Sequence, residues 1–153
     1  MSGRRKKWKF ACVIVSALLI GLTGTAAAGN DKVEVPADLK PIFEEKADKY
    51  GIDEYFLEAL AWRESRFKTT VSNGNCKGLM EVNVKYYPHD WKDPEQNIDA
   101  ACRCIMAIIN QYDAEDLGDI ASYYHGEGKP RYSSYVQDVD RVQRVLAEED
   151  GGQ

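Results

Sequence analysis

The sequence predicts a mainly α, single-domain protein with at most a short strand-like segment after its second helix. Three observations carry that expectation. The chain has 153 residues, a length that suits one domain and allows about two-thirds of the unfolded surface to be buried. Its hydrophobic fraction of 44% and aromatic fraction of 10% support a core and exclude a disordered chain. Helix-start signals built on Asp recur along it, followed by apolar residues at helical spacing and then by Gly.

Taken in order, residues 29–37 form a polar lead-in. Asp38 is expected to cap a first helix with apolar positions Leu39, Ile42, Phe43, Ala47 and Tyr50, ended by Gly51. Pro41 falls in its first turn, where a missing N–H costs least. Asp53 opens a second helix reaching about Arg66. Residues 69–77, rich in Thr, Ser, Asn and Gly, read as a loop, and residues 79–84 as a strand or an extended turn. Asp93-Pro94-Glu95-Gln96 is a strong helix start, with a cap, Pro at the first position and Gln at the third. The helix it opens places Ile98, Ala101, Cys102, Ile105, Ile108, Ile109 and Tyr112 on one stripe. A shorter helix covers residues 116–124 and stops at Gly126. Tyr135, Val136, Val139, Val142 and Leu146 mark a last one. The folded domain is thus expected over residues 38–148, with a frayed tail at 149–153.

The first 28 residues read as an address. Arg4, Arg5, Lys6, Lys7 and Lys9 precede an apolar run from Phe10 to Leu22, followed by small residues ending in an Ala-x-Ala pattern at Ala28. That is the charged, apolar, small layout of a secretory signal, and the Ala-x-Ala site favours cleavage over a retained membrane anchor. Both place the folded part outside the cytoplasm, with membrane association only if the segment is kept. Beyond Ala28 the chain has 15 basic against 25 acidic side chains, a net −10, which is a poor match to phosphate backbones and sets nucleic acid aside as a partner. Outside the cytoplasm a disulfide is expected where geometry allows. Cys102 and Cys104 point in different directions on one helix, so Cys76 bonded to one of them is the natural bridge. Zinc fits the Cys-x-Cys spacing poorly.

One carboxylate lies on the wrong face. The buried stripe of the second helix runs through Leu57, Leu60 and Ala61, and its next position is Glu64. Arg63 and Arg66 lie off that face. Removing a carboxylate from water raises its pKa, and a group protonated near neutral pH can donate its proton to a leaving oxygen, as glycoside cleavage requires. The competing reading is a surface Glu64–Lys68 pair, worth roughly 0.3–0.5 kcal/mol. Two clusters favour the first. Residues 72–82 form a glycine-punctuated loop, and Ser122-Tyr123-Tyr124-His125-Gly126-Glu127-Gly128 joins adjacent aromatics to a glycine turn. Aromatic faces and polar tips are what a sugar polymer binds.

Over residues 41–146 the sequence resembles the catalytic domain of the soluble lytic transglycosylases. Glu64-Ser65, with Phe67 two residues on, matches Glu-Ser-x-Phe. Gly78-Leu79-Met80-Glu81 matches Gly-Leu-Met-Gln, and Asp93-Pro94-Glu95-Gln96-Asn97-Ile98 matches Asp-Pro-x-x-Asn-Ile. Tyr123-Tyr124-His125-Gly126-Glu127-Gly128 aligns on Tyr-Asn-Ala-Gly-Pro-Gly. Each tetrapeptide is weak alone; four in order and spacing are specific.

The resemblance implies a lysozyme-like fold, peptidoglycan glycan strands as substrate, no cofactor or metal, and a monomer. It makes Glu64 the sole catalytic acid/base, has Ser65 and Tyr123 position it and the substrate, and lets Met80, Glu81 and Tyr124 line the cleft, with Asn97 structural. In that family the acid protonates the oxygen between N-acetylmuramic acid and N-acetylglucosamine, then takes the proton of the muramic acid's own 6-hydroxyl, leaving a 1,6-anhydro end. Glu81 departs from the family's Gln, and Tyr124, His125 and Glu127 from its Asn, Ala and Pro. A second carboxylate leaves open a lysozyme-type hydrolase using Glu81 or a nearby Asp. A non-catalytic glycan-binding or assembly protein that keeps the fold is the other alternative. His125 reads as a solvent-facing loop residue rather than a proton handler.

Overall fold

The computed structural model describes residues 32–128 and 132–151. The expected signal segment, residues 1–28, lies outside the described residues. Caps set most of the helix boundaries. Helix α1 (Lys40–Tyr50) carries Pro41 in its first turn as expected, but its N-cap is Leu39, and no side chain caps it. The Pro36 carbonyl accepts the Leu39 and Lys40 N–H groups at 2.9 and 3.2 Å. The turn thus satisfies these donors from the main chain and leaves Asp38 exposed. Gly51 ends α1 at φ 64°, its N–H directed to the Ala47 and Asp48 carbonyls, a left-handed cap that glycine adopts without strain. Helix α2 (Glu54–Ser65) opens on Asp53, whose carboxylate accepts the Phe56 N–H at 2.8 Å. Arg66 and Phe67, both at positive φ, turn the chain out of it.

The segment expected as a loop contains two short strands. β1 (Ser72–Asn73) and β2 (Cys76–Lys77) form an antiparallel hairpin across Gly74-Asn75, and β2 pairs in turn with β3 (Val82–Asn83). Two-residue strands offer no alternating pattern to read, which is why composition alone suggested a loop. Residues 79–81 are a tight turn closed by the Glu81 N–H on the Gly78 carbonyl at 3.1 Å.

Helix α3 (Pro94–Tyr112) begins as predicted, with the Asp93 side chain accepting the Glu95 and Gln96 N–H groups. It is buried more broadly than the predicted stripe, because α1, α4 and β3 all pack on it. Ala100 and Cys104 are therefore interior as well as Ile98, Ala101, Cys102, Ile105 and Ile108. Helix α4 (Leu117–His125) is capped by Asp116 and stopped by Gly126. Helix α5 (Ser134–Gly151) runs on past the expected start of the tail, and Asp150 is held there by Lys40 at 3.0 Å. The whole is mainly α with one small sheet, a lysozyme-like arrangement.

The main packing axis is α2 against α5. The two run antiparallel: Gln143 reaches Asp53 at one end (3.1 Å), and Tyr135 reaches Glu64 at the other. Phe43, Phe56, Leu57, Leu60, Leu79, Ile98, Ile105 and Ile108 are fully withdrawn from solvent, each stabilising by about 1.5–3 kcal/mol relative to exposure. The expected bridge from Cys76 to α3 is not formed. Cys102 and Cys104 are both free thiols buried in this core, and Cys104 packs against the Tyr87 hydroxyl instead.

Glu58 was not singled out by its pattern, yet it is 1% exposed on α2 and its Oε1 has no hydrogen-bond partner. Burial, reinforced by Glu54, raises its pKa to about 7. Because the folded state holds this proton above the unfolded value, stability is fully present at low pH. It falls as pH rises from the unfolded carboxylate range through 7. Glu58→Gln is expected to stabilise the fold by about 1–3 kcal/mol at pH 8 and to have almost no effect at pH 5, read from urea unfolding at the two pH values.

Candidate active site

The last turn of α2 carries Glu64. Part of the side chain reaches the surface, but the carboxyl lies among atoms that exclude water, and that desolvation dominates its electrostatics. The Tyr135 hydroxyl, on α5, donates a short hydrogen bond to Glu64 Oε1. Burial pushes the Glu64 pKa up; the Tyr135 bond pulls it down, Glu81 pushes it up by like charge, and Arg63 pulls it down. Burial wins, and the group titrates near 8. Two features of the sequence reading change. Arg63, expected to lie off the face, does act on the acid. The group that touches the acid is Tyr135, which pattern reading treated only as an apolar marker of the last helix.

The other predicted residues occupy different depths. The Ser65 hydroxyl turns back into its own helix and donates to the Ala61 carbonyl at 3.1 Å. Met80 is fully buried. The turn that contains it is held from both sides: the Met80 N–H donates to Asn97 Oδ1 at 2.7 Å, and the Met80 carbonyl accepts from the buried Tyr124 hydroxyl at 2.8 Å. Asn97 also donates to the Lys77 carbonyl at 2.9 Å, so this one buried amide ties β2 and the turn to the start of α3, the structural role expected of it. His89 accepts from Asn97 Nδ2 through Nε2 (2.8 Å) and donates from Nδ1 to the Tyr87 carbonyl (2.5 Å), the one tautomer that satisfies both contacts.

Gly78 is required here. At φ 83° a Cβ would sit 2.5 Å from both the Trp91 carbonyl and Asn97 Nδ2, so no other residue fits. The turn ends at Glu81, at φ 45° and 6% exposed, near enough to Glu64 for their charges to interact. Burial raises the Glu81 pKa as well.

Tyr123 and Tyr124 follow each other on α4 and face apart. Tyr123 stacks on Tyr112 of α3, ring centres 4.5 Å apart, and stays partly exposed, while Tyr124 points inward to the turn. His125 is partly buried and lies flat on the Tyr135 ring, 4.0 Å between centres and 11° between planes. It is not the solvent-facing loop residue the sequence suggested. Ser122 donates to Glu127 at 3.2 Å, shaping the exit of α4. Among the described residues no group of three or more His, Cys, Asp or Glu side chains is arranged to hold a metal ion.

Residues 41–142 match the model of the transglycosylase SLT domain. The chain belongs to this family. It is also 29% identical over 116 residues to the peptidoglycan transglycosylase gp16 of Escherichia phage T7, a match covering 66% of this chain and 9% of that protein. The chain therefore spans less than a tenth of the length of that relative. In this SLT domain the two carboxyls, Glu64 and Glu81, and the Tyr135 hydroxyl come from three separate elements, α2, the β2–β3 turn and α5.

The opposing influences on Glu64 can be separated. Tyr135→Phe removes a bond that favours the ionised form and is expected to move the Glu64 titration above about 8. Glu81→Gln removes like charge and is expected to move it below that value. Carboxyl 13C NMR across pH 5–10 on Glu-labelled protein reads both shifts (roughly a unit marks 1.4 kcal/mol). Shifts of the same sign in the two variants would contradict this account.

Proposed function

We propose that this SLT domain is a peptidoglycan lytic transglycosylase in which Glu64 is the sole catalytic acid/base. One observation carries the reading: a carboxyl that titrates near 8, hydrogen-bonded to a buried tyrosine, in a member of the transglycosylase SLT family. At neutral pH such a carboxyl retains its proton and has it available for the glycosidic oxygen. Donation lets the C1–O bond between N-acetylmuramic acid and N-acetylglucosamine break, and the leaving oxygen departs as a hydroxyl. Glu64 is then a carboxylate poised to take the proton of the same muramic acid's 6-hydroxyl as O6 bonds to C1. The proton count closes: Glu64 ends protonated, no water is consumed, and the product carries a 1,6-anhydro end. Ionised Glu64 is disfavoured by burial and by Glu81, which drives that second proton transfer.

Ser65, Met80, Glu81, Tyr123 and Tyr124 are assigned to the substrate site in this reading. The exposed part of Tyr123 offers a ring face to a sugar. Met80 and Tyr124, both buried, act by holding the turn that presents Glu81. A hydrolase would need a water activated by Glu81 or a nearby Asp; Glu81 is only 6% exposed, which supports the intramolecular route. The N-terminal layout supports export to the cell envelope. Among the described residues no helix is long and apolar enough to cross a membrane.

Peptidoglycan digested with the wild-type protein is expected to yield 1,6-anhydromuramic ends by mass spectrometry. Glu64→Gln should lose at least 10²–10⁴-fold in rate, roughly the contribution of a positioned general acid, with its circular dichroism unchanged. Reducing ends in place of anhydro ends would convert the reading to hydrolysis. An active Glu64→Gln protein would remove Glu64 from the chemistry, and an inactive wild type that still binds glycan would mark a non-catalytic SLT domain.

A further inference from the structure

The Tyr135 ring is buried to 2% exposure and carries two further contacts that the chemistry above does not use. His125, at the end of α4, lies flat on it at 4.0 Å and 11°. The guanidinium carbon of Arg63, on α2, lies 5.1 Å from the centre of the same ring. The Glu64 bond fixes only the hydroxyl; rotation of the phenol about that contact is stopped by what lies against its ring. His125 stands where the family motif has alanine, a side chain too small to cover a ring.

We infer that His125 is a positioning residue for the Glu64 acid, acting through Tyr135, which it holds in line with the carboxyl together with Arg63. The inference rests on the transglycosylase reading of the site. Ring-on-ring stacking attracts beyond the area it buries, and a cation near a ring face adds to that attraction, more so when shielded from water. Together these contacts suffice to select one orientation of a side chain with two torsions. Arg63 has a second role, since its other contact is Asp138 of α5 at 3.2 Å. The guanidinium therefore bridges α2 to the helix that carries Tyr135.

The His125 ring is held for stacking rather than for charge. Its Nδ1 is buried without a hydrogen-bond partner. The charges acting on it are Arg63 from α2 and Glu127 just beyond its own helix, and the titratable group it covers is Tyr135 from α5. Burial and Arg63 disfavour the imidazolium, against Glu127, which favours it. A neutral ring against the phenol leaves the Tyr135 hydroxyl a neutral donor to Glu64. Proton transfer by His125 is not part of the inference.

The experiment is the pH dependence of kcat on peptidoglycan for wild type, His125→Ala, His125→Phe, Tyr135→Phe and the His125→Ala/Tyr135→Phe double variant. His125→Ala is expected to lower kcat on the order of tenfold to a hundredfold with KM nearly unchanged. The high-pH limb should move upward, because a loosened Tyr135 no longer lowers the Glu64 pKa. Tyr135→Phe should move the same limb the same way, and the double variant should lose no more than Tyr135→Phe alone. His125→Phe, which restores a flat ring without a titrating nitrogen, should recover most of the rate lost in His125→Ala. A His125→Ala enzyme with wild-type kcat and an unmoved limb would overturn the inference, as would losses that multiply in the double variant. If His125→Ala fails to fold, His125→Leu, which fills the volume without a stacking plane, carries the same test against His125→Phe. An inactive wild type, or an active Glu64→Gln, would instead sink the transglycosylase reading.

Discussion

A carboxyl kept from water at the end of α2 is the constraint around which this SLT domain is arranged. Isolated burial would be costly, so Glu64 takes a hydroxyl partner, and that partner must come from another element. It comes from α5, because α2 and α5 pack antiparallel along their lengths and so bring Tyr135 level with the last turn of α2. The same last turn must then get out of the way. Left-handed Arg66 and Phe67 divert the chain directly after Ser65, and the hairpin that follows returns the backbone to deliver Glu81. Fold and site are thus one problem: a longer α2, or a parallel α5, would leave the acid without its neighbour.

Burial alone does not make a catalytic acid, and Glu58 on the same helix shows why. As a whole side chain it is less exposed than Glu64, and its pKa is also raised, to about 7. Its setting differs: the charges acting on it are the acids of α2, Lys40 and Asp150 at the helix ends, with no hydroxyl donor on its buried oxygen. Glu64 has a donor that fixes its orientation and a second carboxylate that biases its proton affinity. Perturbed titration identifies candidates, and the surrounding hydrogen bonds choose between them.

The helices were readable because their ends are chemical. Asp53, Asp93 and Asp116 accept main-chain N–H groups where the pattern put them, and Gly51 and Gly126 stop helices where a left-handed residue is needed. Glu64 was legible because it breaks an apolar period. Four features were not. The hairpin strands are too short to show alternation, and α1 starts on a main-chain turn that leaves Asp38 without a role. The free thiols of α3 follow from its burial by three neighbours, which a single stripe does not reveal. Tyr135 was hidden for a different reason. A tyrosine on an apolar stripe looks like core, and it is core; only the α2–α5 pairing shows that its hydroxyl end meets an acid. Placing two helices side by side was the missing information, and no local pattern supplies it.

Two neighbouring charges act on Glu64 in opposite directions. Glu81, where the family has Gln, adds negative charge that raises the proton affinity of Glu64, and Arg63 adds positive charge that lowers it. With Gln at position 81, Arg63 and the Tyr135 bond would face only burial, and the acid would titrate lower. With Glu81 but no Arg63, two buried carboxyls would share a site with no cation beside them, and both would favour the neutral state. Such a Glu64 would hold its first proton more firmly and donate it less readily. Glu81 and Arg63 therefore offset one another at Glu64, and the effect of either charge on that carboxyl is set by the presence of the other.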